Sequence, residues 1–257
     1  MSARRYRIVY EDDAIIVVDK PSGMLVIPTP KGETNTLTDL LNRGLDDRGV
    51  GVNAYPCHRI DRETSGLIIY AKGKAAQKRV MEQFHLKRVT KRYIAIVHGR
   101  VKKDFDTITI SIYNRKKRRA EPAVTKYRVL GRGGAYTPQP EGHASKDMEE
   151  WPSGGIQLRG KRNPEKKEAA AVGPRSFTVL EVETLTGRTN QIRVHMAAAG
   201  HPLVGESVYS FRKDFALRFK RAALHASHIG FAHPATGKPV SFDSPLPEDM
   251  KTFFGLR

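Results

Sequence analysis

The sequence is poor in cysteine and has no long apolar segment. Its single cysteine, Cys57, excludes an intrachain disulfide and a cysteine-rich metal site, which suits a reducing compartment. No apolar run approaches the ~20 residues of a membrane-spanning helix. The first residues also lack the apolar core of a signal peptide. We therefore predict a cytoplasmic protein that does not bind membranes.

Acidic residues are scarce as well. The 257 residues include 27 Asp and Glu against 45 Lys and Arg, so the formal net charge is +18. An excess of this size attracts polyanions over much of the surface, and nucleic acid is the predicted partner. Hydrophobic residues make up 39% of the chain, which is enough for a sizeable core.

One stretch combines charges of both signs with a turn. In HRIDRETSGLIIYA, residues 58–71, Asp61 lies between Arg59 and Arg62 and precedes a small polar run and a buried strand. If residues 58–61 are extended, Arg59 and Asp61 share one face and Ile60 takes the other. This pattern is typical of a site, although a surface turn whose Asp caps backbone amides would give it too.

The hydrophobic periodicity predicts an α+β chain. Strands are expected at 7–10, 14–19, 67–71, 91–97, 106–112, 124–130, 177–184, 224–231 and 238–243. Helices are expected at 37–45 behind Thr36, at 74–87, at 189–199 and at 247–254. Residues 46–57 resemble a polar loop. Residues 131–175 have almost no periodic apolar pattern and are expected to form a flexible insertion, either functional or disordered.

Five consecutive cations occupy positions 115–119, after the predicted strand 106–112. Such a run is often only solvated. Given the overall charge, we favour a loop that contacts RNA phosphates.

Several long segments resemble those of one enzyme family. HRIDRETSGLIIYAKG, KRYIAIVHG, LTGRTNQIRVHMAAAGHPLVGESVYS and LHASHIGFAHPATGKPVSFDSPLPEDM are similar, in this order, to signature segments of the RluA-type pseudouridine synthases. The resemblance covers most of the chain except residues 131–175. It implies the pseudouridine synthase fold, a mixed and largely antiparallel sheet with flanking helices and a central basic cleft. We expect one catalytic domain over residues 1–257 and no N-terminal S4 domain, because the chain opens almost directly on the first hairpin of the catalytic domain.

The resemblance implies isomerisation of specific uridines in ribosomal or transfer RNA, by a monomer that needs no cofactor or metal. Asp61 would be the essential carboxylate, as a nucleophile or as a base that removes a sugar proton. Tyr93 would stack on the target base and is the candidate for handling the C5 proton. Arg193 would pair with Asp61 and keep it ionised. Arg59 would fill the gap left by the flipped uridine. Leu224 would lie near the base, unless it is simply a core residue.

Two further cations belong to the predicted site, and at two positions the chain differs from the family's usual sequence. Arg62, beside Asp61, and Arg188, in the GRTNQIR segment, are candidates for substrate binding. Asn190 stands where the family commonly has His, so the exact positions of the side chains around the site stay open. Ile60 replaces the commoner Leu, and this exchange of similar volume should change the packing only slightly.

Three alternatives compete with this interpretation. The histidines of the last third (His195, His201, His225, His228 and His233) could bind a metal, but no HExxH-type ligand spacing occurs, so structural or RNA-facing roles are favoured. A cysteine hydrolase built on Cys57 and His58 is disfavoured, because adjacent residues of an extended chain point apart. The serious rival is an RNA-binding protein of the same fold that has lost its activity.

Overall fold

The computed structural model describes residues 6–30, 32–115, 117–133, 155–156, 176–210 and 217–256. These residues form an α+β fold with four helices and a mixed, mostly antiparallel sheet. The strands are β1 (Arg7–Glu11), β2 (Ile15–Lys20), β3 (Ala54–Pro56), β4 (Ser65–Lys72), β5 (Thr90–His98), β6 (Phe105–Thr109), β7 (Ile112–Asn114), β8 (Arg119–Glu121), β9 (Val124–Arg132), β10 (Gly155–Ile156), β11 (Phe177–Thr184), β12 (Leu224–Ala232) and β13 (Pro239–Asp243). The helices are α1 (Leu37–Asp46), α2 (Lys74–His85), α3 (Gln191–Ala198) and α4 (Glu248–Phe254). The predicted fold class is confirmed.

The backbone divides into two compact units. Unit 1 holds the described residues up to Arg92 together with Leu224–Pro245, and unit 2 holds Tyr93–Ala223 and the residues from Leu246 onward. The single catalytic domain over 1–257 stays a prediction. The predicted insertion at 131–175 lies outside the described residues, apart from 131–133 and 155–156.

Unit 1 is a sheet with a helix on each face. Strand β2 pairs antiparallel with β1 and β4, β12 pairs parallel with β4, and β3 and β13 extend the sheet. Leu67 and Ile69 of β4 point to one face, where they form a core cluster with Val80 of α2. Tyr70 points to the other face, where its hydroxyl lies 3.1 Å from Thr38 of α1. Helix α1 begins at Thr36 with a capping box to Asp39, as its sequence predicts.

Unit 2 contains the longest antiparallel ladder among the described residues, between β9 and β11. Strand β9 also pairs with β6, and the core of unit 2 includes Ile96, Phe177 and Phe254. Helix α3 is fastened to β9, because Gln191 Nε2 donates to Val124 O at 3.0 Å and to Thr125 Oγ1 at 2.9 Å. Helix α4 is held by the ion pair of Arg221 with Asp249, at 2.8 and 3.0 Å.

The structure corrects two local expectations. The strand predicted over 106–112 is broken after Thr109, because β7 leaves the β6–β9 ladder and pairs with β8 as a separate hairpin. The loop predicted over 46–57 contains β3, which pairs with β4. In the described part of the chain, no helix is both long enough and apolar enough to span a membrane.

Candidate functional site

Asp61 of unit 1 lies on a turn that leads into the buried strand β4. Thr64 N donates to Asp61 O at 3.1 Å, which closes the turn, and Ile60 is buried behind it. Arg59 and Arg62 are exposed, while Asp61 is half-buried. The structure thus places Asp61 and Arg59 on the accessible side and Ile60 on the inner side, as alternation predicts.

A second loop of unit 1 fastens this turn. Gly23 N donates to Arg62 O at 2.8 Å, and Arg62 Nε donates back to Gly23 O at 3.2 Å. Ser22 Oγ donates to Glu63 O at 2.7 Å. Because the bonds run between two separate chain segments, the backbone on the C-terminal side of Asp61 is held in one conformation.

Lys20 is hydrogen-bonded to both loops. Its side chain is fully buried, and Nζ donates to Pro21 O at 2.8 Å, Met24 O at 2.9 Å and Arg62 O at 3.1 Å. A buried ammonium is costly unless its three N–H bonds find acceptors. This role of Lys20 was not predicted from the sequence. A lone cation ending an apolar strand was the available signal.

The start of β4 packs on the start of β12. Ser65 Oγ lies 3.0 Å from His225 Nδ1, and His225 Nε2 lies 3.2 Å from Ser244 O. A carbonyl can only accept, so Nε2 carries the proton and Nδ1 accepts from the serine. Leu224, the first residue of β12, is buried in the same unit as Asp61. Its predicted contact with the base stays a prediction.

Cys57 and His58 have environments that disfavour hydrolase chemistry. Burial raises the pKa of Cys57 to about 12 and, with Lys91 nearby, lowers the pKa of His58 to about 3. His58 Nε2 accepts from Ile69 N at 3.0 Å, so its lone pair is already used. Neither side chain is arranged to supply the thiolate and imidazolium that a cysteine hydrolase needs.

The other histidines make hydrogen bonds to carbonyls and carboxylates. The ring nitrogens of His195, His201, His228 and His233 lie 2.7–3.0 Å from oxygens of Ile110, His98, Asp243 and Asp12 respectively. Among the described residues, no group of three or more His, Cys, Asp or Glu side chains is arranged to hold a metal ion.

In unit 2, Arg193 of α3 forms a buried ion pair with Glu206. Its Nε donates to Oε2 at 2.7 Å and its Nη2 to Oε1 at 2.8 Å. Asn190, which lies in the left-handed region at φ 54°, accepts from Arg193 Nη1 at 2.9 Å. The sequence analysis missed Glu206. It is the only acidic residue between positions 185 and 213, and that isolation was the available signal.

Tyr93 and Arg188 also belong to unit 2. Tyr93 is half-buried near the start of β5. Arg188 is bound to the β7–β8 hairpin, because Nη1 lies 3.3 Å from Glu121 Oε2 and Nε donates to Pro122 O at 3.1 Å. The structure therefore gathers Arg59, Asp61, Arg62 and Leu224 in one unit, and Tyr93, Arg188 and Arg193 in the other. The pairing of Asp61 with Arg193 stays a prediction.

Several known proteins are similar to this chain. The family model described as RNA pseudouridylate synthase matches residues 14–198. The uncharacterized RNA pseudouridine synthase YlyB of Bacillus subtilis is 37% identical, over 95% of this chain and 70% of the relative. A ribosomal large subunit pseudouridine synthase D of Zymomonas mobilis is 34% identical, over 97% and 72%. The solved structure of human RNA pseudouridylate synthase domain containing 4 is 21% identical with a TM-score of 0.69, over 97% of this chain and 92% of that chain, and supports the fold alone.

Proposed function

The chain belongs to the RNA pseudouridylate synthase family, and we propose that it isomerises specific uridines of large-subunit ribosomal RNA through Asp61. It is an RNA pseudouridine synthase, which is an isomerase that acts on RNA, and its resemblance to the RluA-type enzymes is confirmed. The observation that carries the assignment is the family match over residues 14–198, which includes Asp61, Tyr93 and Arg193. The choice of large-subunit RNA rests on relatives that bear this name.

The support of the Asp61 turn fits a catalytic carboxylate. Catalytic groups act best when neighbouring structure holds them within a fraction of an ångström of the reacting atom. Lys20, Ser22 and Gly23 supply such support through backbone carbonyls and amides, so the loops can be held without substrate. In the proposed reaction the glycosidic bond between N1 and C1′ breaks and the uracil turns. C5 then bonds to C1′ and loses its proton, and N1 takes up a proton.

We further propose that Arg193 keeps Asp61 ionised and that Tyr93 stacks on the turned base. An opposite charge a few ångströms away favours the carboxylate form. The exposed Arg59, two residues before Asp61, would occupy the space that the flipped uridine leaves. Flipping costs a few kcal/mol, which backbone contacts elsewhere can offset. We propose a cytoplasmic monomer, in line with the sequence expectation.

The β7–β8 hairpin is the proposed clamp on the RNA backbone. Arg115, Lys117, Arg118 and Arg119 are exposed at its tip, and Tyr113 exposes 61% of its surface beside them. Glu121 organises its base, where Lys117 and Arg188 lie 2.7 and 3.3 Å from its carboxylate oxygens. Bonds from Lys117 and Asn114 lower the pKa of Glu121 to about 2, so its charge persists at physiological pH. Cations beside an exposed aromatic ring suit phosphate contact and base stacking.

Changing residues 115–119 to glutamine should weaken RNA binding and flatten its salt dependence. Each phosphate contact contributes about 0.7–0.9 to the slope of log K against log salt, so we expect the slope to fall by roughly 2 to 4. Binding isotherms at several salt concentrations measure it. The matched control changes Arg115, Arg118 and Arg119 to lysine, which keeps the charge and should keep the slope. An unchanged slope in the glutamine variant would refute the clamp.

The reaction itself can be followed with RNA that carries tritium at uridine C5. Pseudouridine formation replaces the C5–H bond by a C–C bond, so tritium should pass into water. We expect release from large-subunit ribosomal RNA and none from transfer RNA. Release from transfer RNA alone would contradict the proposed substrate. Binding to both RNAs without release from either would favour the rival, an RNA-binding protein without activity.

A further inference from the structure

The guanidinium of Arg193 is held on three sides by side chains of its own unit. Glu206 takes the edge formed by Nε and Nη2, at 2.7 and 2.8 Å. Asn190 Oδ1 accepts from Nη1 at 2.9 Å, and the Tyr209 ring centroid lies 5.2 Å from Arg193 Cζ. These bonds engage three of the five N–H donors of an arginine, so Glu206 and Asn190 together fix the plane of the guanidinium.

Glu206 is itself fixed by the backbone that follows it. Its side chain is fully buried, and Oε1 also accepts from Val208 N at 2.8 Å and Tyr209 N at 3.2 Å. Burial alone raises the pKa of Glu206, but the bonds from Arg193 and the two backbone amides outweigh it, so the pKa lies below its ordinary value. The carboxylate is therefore an ionised, rigid anchor for the cation.

Asn190 is hydrogen-bonded to both Tyr209 and Arg193. Its Nδ2 donates to Tyr209 Oη at 2.9 Å while its Oδ1 accepts from Arg193. One amide therefore links the arginine to the tyrosine whose ring covers it. Asn190 also adopts a left-handed backbone at φ 54°, which asparagine tolerates better than most residues. The side chain at the position where the family commonly has histidine is therefore in direct contact with Arg193.

We infer that Glu206, with Asn190 and Tyr209, is a positioning group that sets the orientation and effective charge of Arg193 for the reaction. The inference rests on the proposed function, in which Arg193 steadies Asp61. An unpaired arginine can swing through several rotamers, whereas a bidentate ion pair fixes the plane of the guanidinium. Glu206 also neutralises much of the cation. Arg193 therefore orients Asp61 without stabilising its carboxylate so strongly that its reactivity is lost.

Two variants test the inference. Glu206→Gln keeps the length of the side chain but loses its charge and one acceptor. Tyr209→Phe removes only the hydroxyl that holds Asn190, so it carries little risk of unfolding. Because a displacement of about 1 Å can cost 10²-fold in rate, we expect kcat to fall roughly 10- to 100-fold in Glu206→Gln. In Tyr209→Phe we expect a fall of about threefold to tenfold. KM for RNA should stay within about twofold in both.

A double-mutant cycle separates positioning from general damage. In an Arg193→Lys background, where the bidentate pair is already lost, each substitution should change kcat by less than about twofold. The same fold-loss in both backgrounds would overturn the inference, as would an unchanged kcat in both single variants. If Glu206→Gln does not fold, the Tyr209→Phe cycle decides alone. Failure of the wild-type enzyme to release tritium would instead overturn the proposed function.

Discussion

Replacing Asp61 by alanine is expected to lower the rate of pseudouridine formation by at least about 10⁴-fold. The proposed reaction needs a carboxylate at the sugar, as nucleophile or as base, and water entering the space left by alanine is a poor substitute for either. RNA affinity should change by less than about threefold, because most binding free energy comes from cations on the phosphate backbone. Single-turnover tritium release measures the rate, and filter binding measures the affinity.

Two controls make the Asp61 result specific. Asp61→Asn keeps the shape of the side chain and should be nearly as inactive, because an amide neither attacks nor accepts the proton at neutral pH. Asp13→Ala removes an exposed acid of the same unit and should retain full activity. Equal tritium release from wild type and Asp61→Ala would show that another group does the chemistry. A matching loss of RNA affinity would assign Asp61 to binding instead.

The elements with strong local patterns were predictable from the sequence. Helix α1 is the clearest case, since Thr36 and Asp39 form a capping box and Leu37, Leu41 and Leu45 are its buried positions. The β1–β2 hairpin and β11 likewise follow from β-rich runs. Periodicity reports which residues a segment buries, and β2 and β11 bury most of their residues.

Short strands were not predictable, because their partners decide them. Strands β3, β7 and β8 have three residues each, too few for a periodic signal. They exist because β4 offers an edge to β3, and because β7 and β8 meet across a tight connection. Helix α3 begins two residues later than predicted, since Asn190 turns into the left-handed region.

The residues of the site also differ in how far the sequence predicts them. The Asp61 turn could be located from the order of charges and small residues around it. The roles of Lys20 and Glu206 left only a weak signal in the sequence, because a buried charge is explained by its partners. One partner of Lys20 lies 42 residues away in the chain. The predicted pairing of Arg193 considered only Asp61, whereas the carboxylate that the structure shows on this guanidinium is that of Glu206.

Adding one methyl group at Gly66 should destabilise unit 1 by about 4 kcal/mol or more. Gly66 has φ 111°, which side-chain-bearing residues rarely adopt. A Cβ there would lie 2.6 Å from Ala226 N and 2.7 Å from Ala226 C, and closer still to the Ala226 carbonyl oxygen. Backbone on a paired strand cannot move aside cheaply, so Gly66→Ala must separate β4 from β12. Urea unfolding measures the loss.

Two matched glycines of unit 1 separate the causes of that loss. Gly51 has open space and no positive φ, so Gly51→Ala should change the free energy of unfolding by less than about 0.5 kcal/mol. Gly23 has open space but φ 84°, so Gly23→Ala should cost only the backbone strain, about 1 kcal/mol. A loss at Gly66 no larger than that at Gly23 would mean that the strands do not approach as closely as described. Gly66 lies two residues after Thr64, whose amide closes the Asp61 turn, so the same substitution should also displace the carboxylate. The folded fraction of Gly66→Ala should therefore release tritium more slowly than Gly51→Ala.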